Sequence, residues 1–286
     1  MIIRPSELPI VKLQAYLQSA VAPRPIAFVS SVDAGGNVNL SPFSFFNLFS
    51  MNPPVLVFSP SRRVRDNSVK HTLENVQEVG EVVINVVSYE MVQQASLASC
   101  EFAKGVNEFV KAGFTEVKSE LVKPPRVGES PVSFECKVKQ VIPLGTAGGA
   151  GNLVICEVLL LHIQERVLDA NQMIDPHKLD AVARMGQNYY SRASGQSVFV
   201  VPKPNEKVGI GYDLLPEKIR TSKILTGNDL GMLANVDQLP ASRALTELEK
   251  EVVFKGIDAV HALARHYLAQ SKVTDAWQVL LALHGG

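Results

Sequence analysis

The sequence PRPIAFVSSVDAGGNVNLSPFSFFN, residues 23–47, sets the first part of the fold. Residues 25–32 predict a β-strand. Residues 33–37 predict a turn, because their two glycines can supply the positive φ angles that a tight turn requires. Residues 38–40 begin a returning strand, so the stretch predicts a β-hairpin that leads into an unusually aromatic segment.

That aromatic segment is SPFSFFNLFSMNPP, residues 41–54. It contains four phenylalanines, interleaved with serines and an asparagine: Phe43, Phe45, Phe46 and Phe49. Because Phe45 and Phe46 are adjacent, neither a helical nor a strand period places all four rings on one face, and the segment is predicted to be irregular. A planar aromatic ligand with polar edges would use both kinds of side chain. Packing of at least two rings in the protein interior is the competing interpretation.

The remaining pattern of the first 190 residues favours short strands with inserted helices. Strands are predicted over residues 55–59, 81–87, 132–138 and 153–163, and helices over residues 68–77 and 89–100. Ser68 or Asp66 is expected to cap the first of these helices and Gly80 to end it. Such hairpin-linked strands indicate an antiparallel barrel or sandwich. The sequence contains neither GxGxxG nor GxxxxGK, which excludes the usual dinucleotide and P-loop folds.

Residues 132–138 give the clearest strand pattern. Apolar residues at 132, 134, 136 and 138 alternate with Ser133, Glu135 and Lys137. This alternation predicts one buried and one solvated face.

A second region begins near residue 192. Residues 191–197 and 201–205 have the composition of a linker, so we expect a domain over residues 1–192 and a mostly helical extension over residues 193–286. Apolar residues recur at helical spacing from Leu245 to Tyr267, with Thr246 and Glu249 as a capping box. A shorter helix is predicted around Trp277.

Composition excludes several classes of protein. The 286 residues carry 28 Lys plus Arg and 28 Asp plus Glu, so no field of one sign is available to attract nucleic acid or an anionic membrane. The three cysteines form no CxxC pair, and the scattered histidines form no HxxH pair, so we expect no metal site and no disulfide scaffold. Polar residues and prolines interrupt the apolar N-terminus, and we expect a cytoplasmic protein.

Lys70, His71 and Thr72 lie in the first turn of the helix predicted over residues 68–77, just after three arginines, Arg62, Arg63 and Arg65. A helix N-terminus presents unpaired N–H groups and partial positive charge, so this arrangement is typical of an anion site. The competing interpretation is a solvated charged loop that leads into an ordinary capped helix.

Six motifs follow residues 23–47 along the chain: NPPVLVFS (52–59), KHTLENV (70–76), EVVINVV (81–87), GVNEFVKAGF (105–114), SPVSFECKV (130–138) and RMGQNYY (184–190). Taken in this order, they resemble those of the flavin reductase-like family of FMN-binding split-barrel proteins. The likeness covers roughly residues 18–192. It implies a mainly β fold with inserted helices, namely a six-stranded antiparallel Greek-key split barrel, here with a helical C-terminal extension. Members are typically homodimers that hold FMN at or near the subunit interface.

The resemblance also implies which residues bind the cofactor. Ser30 and Ser31 lie at one strand end of the implied site. The isoalloxazine and ribityl chain would lie along Ser41, Pro42, Ser44, Phe45, Phe46 and Asn47. Lys70 and Thr72, with Arg65 or Asn67 nearby, would hold the phosphate. The family usually has aspartate where this chain has His71.

The implied activity is that of an FMN-dependent oxidoreductase. NADH or NADPH would deliver hydride to the flavin, and the electrons would pass to an unidentified acceptor. That acceptor could itself be a partner protein. Because the flavin performs the chemistry, we nominate no catalytic side chain. The alternatives are a ferric or other acceptor reductase, an FMN-containing electron carrier reduced by a partner protein, and a barrel that binds another ligand or none.

Overall fold

The computed structural model describes residues 1–202 and 208–283. Contacts divide the chain into two compact units, with the boundary between Phe199 and Val200. Residues 203–205 of the expected linker lie outside the described residues. The other expected linker, residues 191–197, lies within the first unit and contains the end of a strand, Tyr190–Arg192, and a 3₁₀ turn, Gly195–Ser197. Arg192 fixes it by pairing with Asp180 at 2.6–2.7 Å and lying 3.7 Å from the ring centre of Tyr89.

Antiparallel strands dominate the first unit. They are β1 (Arg24–Pro25), β2 (Ala27–Val32), β3 (Val38–Phe43), β4 (Phe46–Met51), β5 (Pro54–Phe58), β6 (Glu81–Val86), β7 (Glu116–Val117), β8 (Arg126–Val127), β9 (Val132–Pro143), β10 (Asn152–Ile163), β11 (Val182–Arg184) and β12 (Tyr190–Arg192). Seven of them form one sheet in the order β3-β2-β6-β9-β10-β5-β4, one strand more than expected. β1, β11 and β12 form a small sheet, and β7 pairs with β8.

Helices connect these strands and make up most of the second unit. Those of the first unit are α1 (Ile10–Ala20), α2 (His71–Glu78), α3 (Val92–Leu97), α4 (Glu108–Ala112) and α5 (Pro176–Leu179). Those of the second are α6 (Glu217–Arg220), α7 (Gly227–Ala234), α8 (Glu247–Phe254), α9 (Ile257–Ala269) and α10 (Val273–Leu281). Among residues 1–202 and 208–283, every helix is too short or too polar to cross a membrane.

The hairpin predicted from residues 23–47 is confirmed, with Val32 opposite Val38 and Val29 opposite Ser41. The prediction of an irregular aromatic segment was wrong. β3 continues to Phe43, a bend follows, and β4 begins at Phe46. Because β3 pairs with β2 whereas β4 pairs with β5, the strand period restarts at the bend, which a single period cannot describe.

Both faces of β2 are buried, because each has its own covering layer. Phe28, together with Ile26 just before the strand, faces a cluster that includes residues of α3 and α4. Ala27 and Val29 face the interior of the barrel, together with Phe58. The interior thus excludes water from a strand that carries two hydroxyl side chains, Ser30 and Ser31.

The predicted solvated face of β9 is mostly covered, so that prediction was wrong. Glu135 is fully buried and accepts hydrogen bonds from the backbone N–H groups of Glu120 (2.8 Å) and Leu121 (2.6 Å). The Ser133 hydroxyl donates to Asn85 at 2.7 Å. Residues between β7 and β8 therefore form a further layer over this face, and of the three polar residues only Lys137 is exposed.

Helix α2 begins later than predicted. Lys70 is its N-cap residue, whereas Asp66 accepts the Ser68 N–H at 2.9 Å within the preceding loop, so neither Ser68 nor Asp66 caps it. Gly80, with φ +72°, follows its end as predicted. The helix predicted over residues 89–100 is shorter: a 3₁₀ turn, Tyr89–Met91, leads into α3.

The second unit packs around the side chain of Trp277. Its indole N–H donates to the Leu233 carbonyl at 3.2 Å. Val260, Ala264 and Leu268 of α9 are buried in the same core. The capping box of Thr246 and Glu249 is confirmed at the start of α8. The apolar stripe belongs to two helices, however, because the backbone turns at Gly256, where φ is +98°.

Candidate ligand-binding site

The three arginines lie in a loop between β5 and α2, residues 61–67, which we call the arginine loop. Its backbone is fixed by the β9–β10 turn: Arg62 N–H donates to the Ala150 carbonyl at 2.8 Å, and Gly149 N–H donates to the Arg62 carbonyl at 2.9 Å. A Cβ atom on Gly148 would lie 3.0 Å from the Arg63 carbonyl oxygen. Glycine at 148 therefore allows the two loops to approach each other.

Asn67 organises the arginine loop from within. Its carboxamide oxygen accepts from Arg62 Nε at 2.6 Å, and its amide group donates to the Thr146 carbonyl at 3.0 Å. Its φ angle is +56°, a conformation that asparagine tolerates better than most residues. These protein contacts use its polar atoms, and the expected contact with a phosphate stays a prediction.

Arg63 and Arg65 share one carboxylate, that of Glu101. Arg63 Nε lies 3.1 Å and Arg65 Nη2 2.9 Å from the two Glu101 oxygens. The hydrogen bond from Arg65 is the main cause that lowers the pKa of Glu101. The glutamate therefore neutralises part of the positive charge that the sequence places here.

A small polar pocket lies beside this ion pair. We call it the polar pocket; its polar and charged residues are Asn39, Ser41, Arg63, Lys70, His71, Thr72, Glu101 and the buried Glu108. Its free volume is about 20 Å³, enough for roughly one water molecule. Three predicted cofactor-binding residues, Ser41, Lys70 and Thr72, thus come together, joined by Arg63.

Lys70 brings a second cation to the polar pocket, beside Arg63. Its side chain is half-buried, with Nζ 5.8 Å from the ring centre of Phe43. Burial is the main cause that lowers the pKa of Lys70, and the nearby positive charge of Arg63 lowers it further. Among the described residues no ion pair joins Lys70 to a carboxylate, although Glu101 and Glu108, which line the same pocket, raise its pKa in part. An anion bonded directly to Lys70 would relieve the remaining cost of burying its charge.

The hydroxyl groups predicted at the site are largely committed to the protein. Thr72 is fully buried and accepts from the Asn39 amide at 2.9 Å. Ser31 is fully buried and accepts from the Asn75 amide at 3.0 Å, and Ser30 donates to the Pro125 carbonyl. Ser30 and Ser31 line neither the polar pocket nor the larger cleft beside it.

The larger cleft, about 730 Å³, lies between helix α1 and the arginine loop, and we call it the α1 cleft. One face of α1 lines it, with Ile10, Leu13, Gln14, Leu17 and Gln18 at i, i+3, i+4, i+7 and i+8. All residues of α1 are described, and none is buried. The apolar face of this helix therefore borders open space rather than a core.

Contacts at both ends hold α1 in this position. At the first end, Ile10 Cδ1 lies 3.0 Å from where a Cβ atom of Gly149 would be. At the other end the buried guanidinium of Arg24 donates to the carbonyls of Val21 (2.6 Å), Met185 (2.8 Å) and Gln18. Arg24 thereby ties the end of α1 to the segment after β11.

The other predicted residues divide between the α1 cleft and the sheet. Phe45 and Arg65 line the α1 cleft, and both are exposed. Four more lie in or beside β3 and β4 and line neither pocket: Pro42, Ser44, Phe46 and Asn47. Arg63 and Glu101 line both pockets and connect them.

Sequence reasoning missed α1, Arg24 and Glu101 as site residues. The spacing of Ile10, Leu13 and Leu17 after Pro9 is a helix signal that could have revealed α1. No local signal marks Glu101, because its partners are more than thirty residues away in the chain. His71, whose Nδ1 lies 3.7 Å from Glu74, also lines the polar pocket.

The fold and site together define a split barrel in which a small polar pocket adjoins an apolar cleft. The pocket brings together two cations, Arg63 and Lys70, and two carboxylates, Glu101 and Glu108. The chain belongs to the flavin reductase-like family: the family model, the flavin reductase like domain, matches residues 19–180.

Individual comparisons agree with this family. An uncharacterized protein from Aquifex aeolicus is 40% identical over 176 residues, which are 62% of this chain and 87% of that protein. Nitrilotriacetate monooxygenase component B from Bacillus cereus superposes with a TM-score of 0.65 at 28% identity, covering 70% of this chain and 98% of the other. A Shewanella frigidimarina protein with a split barrel domain has a TM-score of 0.60 at 24% identity, covering 71% and 99%, and supports the fold alone.

Proposed function

We propose that this protein is an FMN-dependent oxidoreductase that takes hydride from NADH or NADPH. The phosphate of FMN would lie at Lys70, Arg63 and Ser41, and the isoalloxazine would lie in the α1 cleft against Phe45. One observation carries the proposal: Lys70 is half-buried and forms no ion pair in the described residues, and its pocket shares Arg63 and Glu101 with an apolar cleft of about 730 Å³. Ligand pockets typically measure about 300–1,000 Å³.

The residues present fit FMN better than a dinucleotide or riboflavin. Lys70 and Arg63 provide charge for one phosphate group, and the sequence has no dinucleotide fingerprint. The apolar residues Leu13, Leu17 and Phe45 provide surface for a planar ring system. Riboflavin would leave Lys70 without its anion.

Bound FMN would supply the redox chemistry, accepting hydride from the nicotinamide and passing electrons to an acceptor. The chain's own residues bind and orient the flavin and limit access of water to it. Arg63 and Lys70 fix the anionic end, whereas α1 and Phe45 cover the flat end. The proposal therefore assigns no proton-transferring side chain.

A homodimer is the second part of the proposal. β4 is an edge strand of the large sheet and carries exposed apolar side chains, Leu48, Phe49 and Met51. Apolar and aromatic residues on an exposed edge are typical of a surface that another chain covers. Light scattering over a dilution series should show a dimer, and a monomer at all concentrations would contradict this part.

The function is tested by identifying the flavin and following its reduction. Purified protein reconstituted with flavin should retain FMN, as identified by mass after extraction, in preference to FAD or riboflavin. Under anaerobic conditions NADH or NADPH should bleach the flavin absorbance. Retention of FAD or of no flavin would contradict the FMN assignment. Bleaching by dithionite but by neither nicotinamide would favour an electron carrier that a partner protein reduces.

A further inference from the structure

Glu101 stands where the two halves of the site meet. It follows α3 in a segment without regular secondary structure and lines both the polar pocket and the α1 cleft. Its two oxygens lie 3.1 Å from Arg63 Nε and 2.9 Å from Arg65 Nη2. A carboxylate of the protein is thus already paired with the guanidinium groups that would attract an anionic ligand.

Both arginines are held in place without help from Glu101. Arg63 Nη1 donates to the Ser68 hydroxyl at 2.9 Å and to the Val69 carbonyl at 2.7 Å. Arg65 also pairs with Asp66 at 2.9 Å. Removing the Glu101 charge should therefore leave the guanidinium groups positioned and available rather than disordered.

The small size of the polar pocket also indicates that a side chain moves when an anion binds. Its free volume of about 20 Å³ is too small for a phosphate group, so a side chain must move before one can enter. Thr72 and Asn39 are buried and bonded to each other. The other carboxylate of the pocket, Glu108, is buried and accepts from the Leu40 N–H at 2.9 Å. The Glu101 side chain is 49% exposed and can rotate into solvent, so of these four side chains it is the least constrained.

We propose that Glu101 is an internal competitor for the anionic end of the ligand. It pairs with Arg63 and Arg65 in the ligand-free chain and is displaced when a phosphate group binds. It is a specificity-determining residue rather than a catalytic one, because it makes the flavin exchangeable and weakens phosphorylated ligands selectively. This inference rests on the proposed function only in naming FMN as the phosphorylated ligand.

The expected effect follows from the value of partly exposed ion pairs. Such pairs are worth little individually, so displacing two of them should weaken phosphate binding by about 3–30-fold in dissociation constant. Glu101→Gln removes the charge and keeps the shape. FMN should therefore bind about 3–30-fold more tightly to this variant, whereas riboflavin, which has no phosphate, should change less than about twofold.

Glu74→Gln provides the matched control. Glu74 lies on α2 and pairs with Lys104 at 2.7 Å, and it lines neither pocket. The substitution Glu74→Gln removes one negative charge from the same region but leaves the ion pairs of Arg63 and Arg65 with Glu101 intact. Fluorescence titration would measure the dissociation constants of FMN and riboflavin for wild type and both variants, and calorimetry that of inorganic pyrophosphate. Circular dichroism would verify folding of each variant.

Selective tightening of FMN and pyrophosphate by Glu101→Gln, absent in Glu74→Gln, would support the inference. An unchanged or weaker FMN affinity, or equal tightening of riboflavin, would overturn it, even where the wild type binds FMN as proposed. If the wild type binds neither flavin but pyrophosphate tightens in Glu101→Gln, the proposed function fails and Glu101 remains a competitor for anions. Failure of the wild type to bind any of the three ligands would overturn both.

Discussion

Helices α1 and α9 have the same kind of sequence and opposite surroundings. Each carries apolar residues at i, i+3 and i+4 spacing. In α9 that face is packed, with Val260, Ala264 and Leu268 buried against the core around Trp277. In α1 no residue is buried, and the equivalent face borders a cleft of about 730 Å³. The apolar face of α9 contributes to the stability of its unit, whereas the apolar face of α1 is left without a protein partner in the described residues.

The difference shows what an amphipathic pattern establishes. An amphipathic pattern indicates that one face of a helix is apolar and unfavourable to expose to water, but it does not indicate which element or ligand packs against that face. For α9 the cover is other helices of the same unit. For α1 the proposed cover is the ring system of FMN. Substitutions should therefore cost folding energy in α9 and ligand affinity in α1.

Leu268→Ala should give the largest effect. Truncating a fully buried leucine typically costs about 2–5 kcal/mol, and Leu268 is only 2% exposed. Trp277 is the single tryptophan, so its fluorescence during urea unfolding reports on the second unit. Leu17→Ala should change the far-ultraviolet unfolding transition by less than about 0.5 kcal/mol. A loss of similar size in both variants would remove the distinction between the two helices.

Lys70→Ala should give the next largest effect, on the affinity for FMN, the ligand proposed to cover α1. A hydrogen bond to a charged group is worth about 1.5–3 kcal/mol, so FMN should bind roughly ten- to a hundred-fold more weakly. Riboflavin should change little. Amide hydrogen exchange in α1 should slow when FMN binds to the wild type and stay fast in the variant at the same FMN concentration.

Lys111→Ala is the control for this measurement. Lys111 is exposed at the end of α4 and lies outside both pockets. FMN affinity should stay within about twofold of wild type. Equal losses of FMN and riboflavin in Lys70→Ala would mean that Lys70 acts through the fold rather than on the phosphate.

Sequence reasoning recovered what local chemistry determines. Three features follow from residues a few positions apart: the hairpin from β2 to β3, the capping box of Thr246 and Glu249, and the end of α2 just before Gly80. The gathering of Ser41, Lys70 and Thr72 followed from the family resemblance and depended on motifs rather than on periodicity.

The parts that sequence reasoning missed depend on distant partners. The buried Glu135 looks like a solvated strand residue until Glu120 and Leu121 are seen to donate to it. Glu101 looks like an ordinary surface carboxylate because Arg63 and Arg65 lie far from it in sequence. Periodicity gives the face of a residue but not the layer that covers it, and this limit applies equally to β9 and to α1.

The pH dependence of FMN affinity should give a smaller effect than the loss of Lys70. Burial lowers the pKa of Lys70 from its ordinary 10.5, and a bound phosphate should raise it again. Lys70 is therefore charged below the lowered pKa, and FMN should bind best there. The affinity for FMN should fall as the pH rises through the lowered pKa of Lys70, and the fall should therefore begin below pH 10.5.

Fluorescence titrations from pH 7 upward would measure this fall, with riboflavin correcting for changes in the ring. In Lys70→Arg the guanidinium stays charged, so the slope in this window should disappear. The same slope in Lys70→Arg and in wild type would assign the titration to another group.

Leu17→Ala should give the smallest effect and the most direct test of what covers α1. Leu17 lines the α1 cleft, and losing part of one apolar contact should weaken FMN and riboflavin alike by about two- to fivefold, because both carry the ring system and the lost area is modest. Val11 lies on the same helix, is 65% exposed and does not line the α1 cleft, so Val11→Ala is the matched control and should leave both dissociation constants within about twofold.

The pattern of losses separates the two ends of the site: Lys70→Ala should discriminate between the two flavins, whereas Leu17→Ala should not. If Leu17→Ala and Val11→Ala have the same effect, the face of α1 that borders the cleft is covered by something other than the flavin. A second subunit would then be the next candidate, and the two substitutions should be compared for their effect on dimer dissociation.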